Sequence, residues 1–194
     1  MTNFIINNEA DVCGIFFECK SLKKINFNNF NFNNAINMHA MFYWCKSLHE
    51  LNINNFNTNN EIDMNDMFPH CQKEFNLSNF NTNNVTDMRR MFYGCKSLKD
   101  LNISNFDTSN VSKMNKMFEG CETLSELNIS NYNLNKVEDM SDMFNGCAAL
   151  TTLNIPNLNI DNIKNVKGMF SNCSDKLESE IKNKYKNIKE EAFQ

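Results

Sequence analysis

The sequence predicts an α/β repeat solenoid of about six to seven coils, each a strand, a turn and a short helix, with a parallel sheet on the concave face. Two observations predict it. Cys19, Cys45, Cys71, Cys95, Cys121, Cys147 and Cys173 recur every 26 residues, with one interval of 24 between Cys71 and Cys95. Each closes the same phrase, written most fully as Val85-Thr86-Asp87-Met88-Arg89-Arg90-Met91-Phe92-Tyr93-Gly94-Cys95. Self-similarity at such a period means units that bury their apolar sides against one another instead of in one central core.

The elements follow in order. Phe4-Ile5-Ile6-Asn7-Asn8-Glu9-Ala10-Asp11-Val12 aligns without gaps on Phe56-Asn57-Thr58-Asn59-Asn60-Glu61-Ile62-Asp63-Met64, so the repeat region, residues 1–173, starts in mid-coil. Leu101-Asn102-Ile103 alternates apolar and polar, the period of a half-buried strand. Its counterparts are Ile25-Asn26-Phe27, Leu51-Asn52-Ile53, Phe75-Asn76-Leu77, Leu127-Asn128-Ile129 and Leu153-Asn154-Ile155, expected to stack in parallel about 4.8 Å apart.

The second half of each unit changes period. Met88, Met91, Phe92 and Cys95 fall at i, i+3, i+4 and i+7, which predicts one face of a two-turn helix. The spacing recurs from Met38, Met64, Met114 and Met140, and in weaker form from Val12 and Val166. Thr86 and Ser112 offer N-caps, and Gly94, Gly120 and Gly146 relax the exit. Helices that need about 8–10 Å beside strands at about 4.8 Å should bend the stack, strands innermost.

The interval of 24 arises where Cys71-Gln72-Lys73-Glu74-Phe75 lacks two residues, which predicts a tightened turn and a small kink. From Ser174 the repeat stops and charge rises. Leu177, Ile181, Tyr185 and Ile188 sit at helical spacing, so residues 174–194 read as an amphipathic cap over the last coil, or beyond Lys186 as a solvated tail.

Composition narrows the function classes. A net charge of −4 and a pI near 5.4 argue against a nucleic-acid surface, which needs clustered Lys and Arg. Asparagine is about a fifth of the chain, but the strict placing of Leu, Ile, Met and Phe speaks for order, not for a low-complexity tract. No stretch approaches the roughly 18 apolar residues of a membrane span. The first residues lack a basic and an apolar signal region, so the chain as written is expected to stay cytoplasmic.

Seven cysteines at one equivalent position beside a Phe read as buried free thiols rather than a bonded ladder. The Met stripe beside them reads as core and not as a copper site. Cys13-x5-Cys19 and Cys45-x3-His49 are the local metal-like pairs, and neither has a second pair at zinc spacing. His39, His49 and His70 occupy three different repeat positions. No nucleophile–base arrangement emerges, so neither an enzyme nor a cofactor is expected.

Residues 98–111, with Asn105-Phe106-Asp107-Thr108-Ser109-Asn110-Val111 and the Met-Phe-Tyr-Gly-Cys of residues 91–95, resemble the BspA-like leucine-rich-repeat surface proteins. The likeness covers about residues 4–173. It implies a leucine-rich-repeat solenoid, a cell-surface or secreted setting, and adhesin-like binding to a host or neighbouring-cell protein. It implies no catalytic residue and no cofactor.

The strand period then points to a binding face. If Leu51 and Ile53 turn inward, Glu50 and Asn52 turn outward, and stacking aligns each with its equivalents. One row becomes Lys24, Glu50, Glu74, Asp100, Glu126 and Thr152; the next becomes Asn26, Asn52, Asn76, Asn102, Asn128 and Asn154. Carboxylates in register repel, so a sequence shaped by stability alone would avoid this row. Glu50, Asn52, Glu74, Asn76, Asp100, Asn102, Glu126 and Asn128 are thus the expected partner-binding residues, favouring basic or hydrogen-bonding groups. The bland alternative is a solvated row offset by Lys73, Lys99 and His49, beside an Asn ladder that stiffens the sheet. A different class is self-assembly, with open coil ends stacking end to end, against a monomeric interaction module.

Overall fold

The computed structural model describes residues 4–5, 10–27, 30–31, 35–48, 50–52, 63–71, 77, 80–155 and 163–194. Within them the strands are short and every pairing is parallel. β1 (Phe4–Ile5) pairs with β4 (Phe30–Asn31), and β2 (Ala10–Asp11) with β5 (Ala35–Asn37). β3 (Lys24–Asn26) pairs with β6 (Glu50–Asn52), and β7 (Glu126–Asn128) with β8 (Thr152–Asn154). Partners lie one sequence period apart: Phe4 faces Phe30, Ile25 faces Leu51 and Leu127 faces Leu153. Isolated parallel bridges link Asp63 to Asp87, Asp87 to Lys113, Lys113 to Asp139 and Asp139 to Asn165, carrying the same register through the middle of the chain.

The two-turn helices expected around the Met-Phe-Cys positions do not form; the described residues there are runs of overlapping turns. In residues 38–45 the amides of Met41, Tyr43 and Cys45 bond back to the carbonyls of Met38, Ala40 and Phe42. The alternate amides, of Met38, Ala40 and Phe42, leave the coil and reach the carbonyls of Asp63, Asn65 and Met67 at 3.3, 3.0 and 3.0 Å. A helix would keep its amides within itself. Left-handed residues recur at every fourth position, such as Ala40 and Trp44 (φ 54° and 59°), where a run of right-handed turns cannot continue.

The inward pattern survives because a turn run of period four and a helix of period 3.6 select the same residues over eight positions. Met38, Met41, Phe42 and Cys45 are all fully buried. Backbone bonds thus join neighbouring coils on the turn side as well as the strand side. The mismatch that was to bend the stack has no basis in the described residues.

The core is columnar. Phe16, Phe42, Phe68, Phe92, Phe118, Phe144 and Phe170 stack nearly parallel, with centroid steps of 5.5, 5.5, 5.9, 5.7, 5.7 and 5.5 Å. The expected tightened turn at residues 72–76 lies outside the described residues. On its near side Met64 and Phe68 still donate to the carbonyls of Asp87 and Met91, at 3.1 and 2.9 Å. The step from Phe68 to Phe92, across the interval of 24, is 5.9 Å.

The cysteines are free. Five of the Sγ atoms donate to a Phe carbonyl of the preceding coil at 3.1–3.3 Å: Cys45 to Phe16, Cys95 to Phe68, Cys121 to Phe92, Cys147 to Phe118 and Cys173 to Phe144; Cys71 reaches the Phe42 carbonyl at 4.0 Å. Burial lifts the thiol of Cys45 to about 11 and holds those of Cys95, Cys121 and Cys147 well above the usual range. Asparagines make similar ties. Asn105 Nδ2 donates to the carbonyls of Leu77 and Phe80, and Asn131 Nδ2 to those of Ser104 and Phe106.

At the C-terminal end α1 (Asp175–Lys184) starts at Ser174, whose Oγ accepts from the Leu177 amide, and buries Leu177 and Ile181. A 3-10 turn follows at Glu190–Phe193. The carbonyls of Glu191 and Ala192 accept from Gly168 and Phe170, both at 2.7 Å, and the Phe193 ring extends the column 5.8 Å beyond Phe170. Among the described residues no helix is long and apolar enough to cross a membrane.

Candidate binding face

The strands turn their central apolar residue inward and its neighbours outward. Leu127 and Leu153 are buried, while Glu126, Asn128, Thr152 and Asn154 are exposed. Pairing brings Lys24 opposite Glu50, Asn26 opposite Asn52, Glu126 opposite Thr152 and Asn128 opposite Asn154. Glu50 and Asn52 stand at the ends of β6. Glu74 and Asn76 lie outside the described residues. Asp100, Asn102, Glu126 and Asn128 come together on the walls of one open groove of about 410 Å³, with Leu101 and Leu127 along its floor.

The chemistry of the two outward positions differs. Asn102 Oδ1 accepts from the amide and hydroxyl of Ser104 at 3.2 and 2.8 Å, and Asn128 Oδ1 accepts from the Ser130 amide at 3.1 Å. These oxygens are committed to their own turns, so Asn102 and Asn128 present N–H donors. Asp100 and Glu126 make no ion pair among the described residues, whereas nearby acids do: Glu122 with Lys96 at 2.7 Å and Glu138 with Lys164 at 3.0 Å. The groove therefore offers carboxylate acceptors on one line and amide donors about 6.6 Å along the strand on the next.

A second groove, of about 230 Å³, lies on the turn side between Tyr43 and Tyr93. Its charges are balanced: Arg90 stands 3.7 Å from Asp66, and Lys116 bridges Glu119 and Asp142 at 3.0 and 3.2 Å. Burial, opposed by Arg90, raises the Asp66 carboxyl. His70 packs edge-on against Trp44 and Tyr93, 5.5 and 5.3 Å away. Sequence reasoning passed over this cluster because it follows the turn positions and not the strand row. Its one signal was the aromatic content of positions 43, 44, 70 and 93.

The local metal-like pairs do not gain a third ligand: among the described residues no group of three His, Cys, Asp or Glu could hold an ion. His39 Nδ1 lies 2.9 Å from the Asn65 carbonyl, and His49 lies outside the described residues.

Comparison with known proteins adds a family. The family model described as "Mycoplasma protein of unknown function, DUF285" matches twice, over residues 10–101 and 72–184. The chain belongs to the DUF285 family. The two matches of DUF285 together span all of the Cys-closed turn runs, so the family is defined on the repeat itself. No curated protein and no solved structure matches the chain.

Proposed function

We propose that this DUF285 chain is a leucine-rich-repeat-type solenoid of the BspA-like kind, acting as a non-catalytic protein-interaction module whose partner lies on the strand face. Parallel pairing at one repeat period supports the solenoid. One observation carries the binding reading. Asp100 and Glu126 share a groove without a neutralising cation among the described residues, beside the amide donors of Asn102 and Asn128. Keeping two exposed carboxylates in one groove costs the fold a fraction of a kcal/mol, about 0.2–1, and a bound cation removes that repulsion. The fitting partner is an extended, lysine- or arginine-bearing segment of a protein, in keeping with an adhesin-like role.

The experiment measures binding of a fluorescein-labelled peptide of alternating Lys and Ser by anisotropy, at low and at high salt. Asp100→Lys with Glu126→Lys is expected to weaken it about tenfold or more at low salt, where charges are least screened. Unchanged binding by the double reversal would remove the strand face from the function.

A further inference from the structure

Along the turn runs the inter-coil ladder is polar. In each pair of neighbours the alternate amides of one coil donate to carbonyls of the next coil along the chain. Val12, Gly14, Phe16 and Glu18 donate to Asn37, His39, Met41 and Tyr43 at 3.0, 2.9, 3.1 and 2.7 Å, and Met140, Asp142, Phe144 and Gly146 donate likewise to residues 165–171. Amides just before these runs, such as those of Ser112, Glu138 and Lys164, donate the other way, so it is the turn runs alone that present acceptors at one end of the stack and donors at the other.

The two ends are treated differently. The donor end is covered by the chain's own 3-10 turn, through the carbonyls of Glu191 and Ala192, and by Phe193, over which Lys182 of α1 lies at 4.4 Å. Among the described residues nothing covers the acceptor end. The carbonyls of Asp11, Cys13, Ile15 and Phe17, equivalent to the four that accept in the second coil, receive no amide among the described residues. Ile15 and Phe17 there are 40% and 51% exposed, two of the three large exposed apolar side chains among the described residues. Phe17 stacks one face on Tyr43 at 5.1 Å.

We propose that this edge, at residues 11–17, docks a second copy of the chain through the donor edge of that copy's last coil, residues 166–172, once its 3-10 turn has swung aside. Complementarity selects the occupant. Two acceptor edges facing each other leave every carbonyl without a donor, which excludes joining by like ends. The last coil of another copy carries amides at the matching spacing, together with the Phe170 ring that its cap now covers. The exchange has a driving force. Docking gives up the cap's two amide bonds, its buried Ala192 and the Phe193 stack. In return it makes the four amide bonds of an interior coil, stacks Phe170 on Phe16 of the other copy and covers Ile15 and Phe17. The product is a head-to-tail stack of one polarity that lengthens the strand face without using it.

Sedimentation of the full chain over a wide concentration range tests the proposal. The wild-type chain is expected to associate weakly, and Ile15→Asp with Phe17→Asp, both at exposed sites, to abolish the association. Phe193→Ala, which loosens the cap, should lower the concentration of half-association about tenfold. A wild-type chain that stays monomeric throughout overturns the proposal, as does association that the Asp pair leaves intact. If Phe193→Ala folds by circular dichroism and associates no more than wild type, displacement of the cap is wrong. If it does not fold, the wild-type and Asp-pair measurements decide. Peptide binding on the strand face is unaffected by the Asp pair, so the two readings fail separately.

Discussion

The smallest determinants of this fold are single residues held in a left-handed backbone. Gly94 and Gly120 close their turn runs at φ 64° and 73°, where their equivalents in other coils are Glu18, Trp44, His70 and Asn172. A methyl at Gly120 would sit 3.5 Å from the Gly94 Cα, in ordinary contact, so Gly120→Ala carries the conformational cost alone. That cost is about 1 kcal/mol. Ala40 is the converse case, an L-residue at φ 54° where Gly14 and Gly168 stand in other coils. Ala40→Gly should stabilise by about 0.5 kcal/mol, the relief being offset in part by backbone entropy. Opposite shifts of the urea midpoint check the pair. His70 couples stability to pH near neutrality. Burial first, then the Lys46 charge, lowers its pKa, so the unfolded chain takes up a proton before the folded one. Its contribution is full above about pH 6.5 and declines as pH falls below it. His70→Asn, which keeps a side chain that tolerates the left-handed φ, should lessen the loss of stability between pH 7.5 and 5. An unchanged slope would show that another group sets it.

At the scale of elements, the turn run replaces the expected helix, and the two differ in a measurable way. Seven two-turn helices would give a strong far-ultraviolet band at 222 nm. The described residues hold one α-helix of 10 residues, so the spectrum should show little more than that helix contributes. A spectrum of high helical content would contradict the turn ladder. The Met-Met-Phe-Cys spacing was legible in the sequence and correctly marked the buried side. Its conformation was not, because eight residues are too few to separate period 3.6 from period four. The deciding signal was left-handed tolerance, and Arg90 and Lys116 hide it, since neither ordinarily adopts a left-handed backbone. They adopt that conformation because the next coil supplies carbonyls for the alternate amides.

At the scale of the molecule, the coils interact chiefly with their neighbours, so stability should fall in steps with coil number. Deleting one whole unit of 26 residues, from Ile103 to Asn128, joins equivalent positions and should leave a chain that still unfolds cooperatively, at a lower urea midpoint. Deleting half a unit puts strand against turn and should abolish the transition; equal effects from both would argue against a stack of equivalent coils. The candidate site was legible to the same extent as the register. The outward rows follow from period two and the repeat length, and Asp100, Asn102, Glu126 and Asn128 do line one groove. The turn-side cluster of Tyr43, His70 and Tyr93 was not legible, because its members are neighbours only across coils.

By itself the sequence determined the repeat length, the inward residues and the register that aligns one coil on the next, since periodic burial needs only spacing. The tertiary structure decided where the backbone hydrogen bonds go. Amides that a local reading assigns to helices instead bridge coils, because a stacked neighbour satisfies them without bending the chain away from its column of Phe rings. That choice gives the turn runs their polarity, with donors covered by Glu191 and Ala192 at one end and, among the described residues, the carbonyls of Asp11, Cys13, Ile15 and Phe17 receiving no amide at the other.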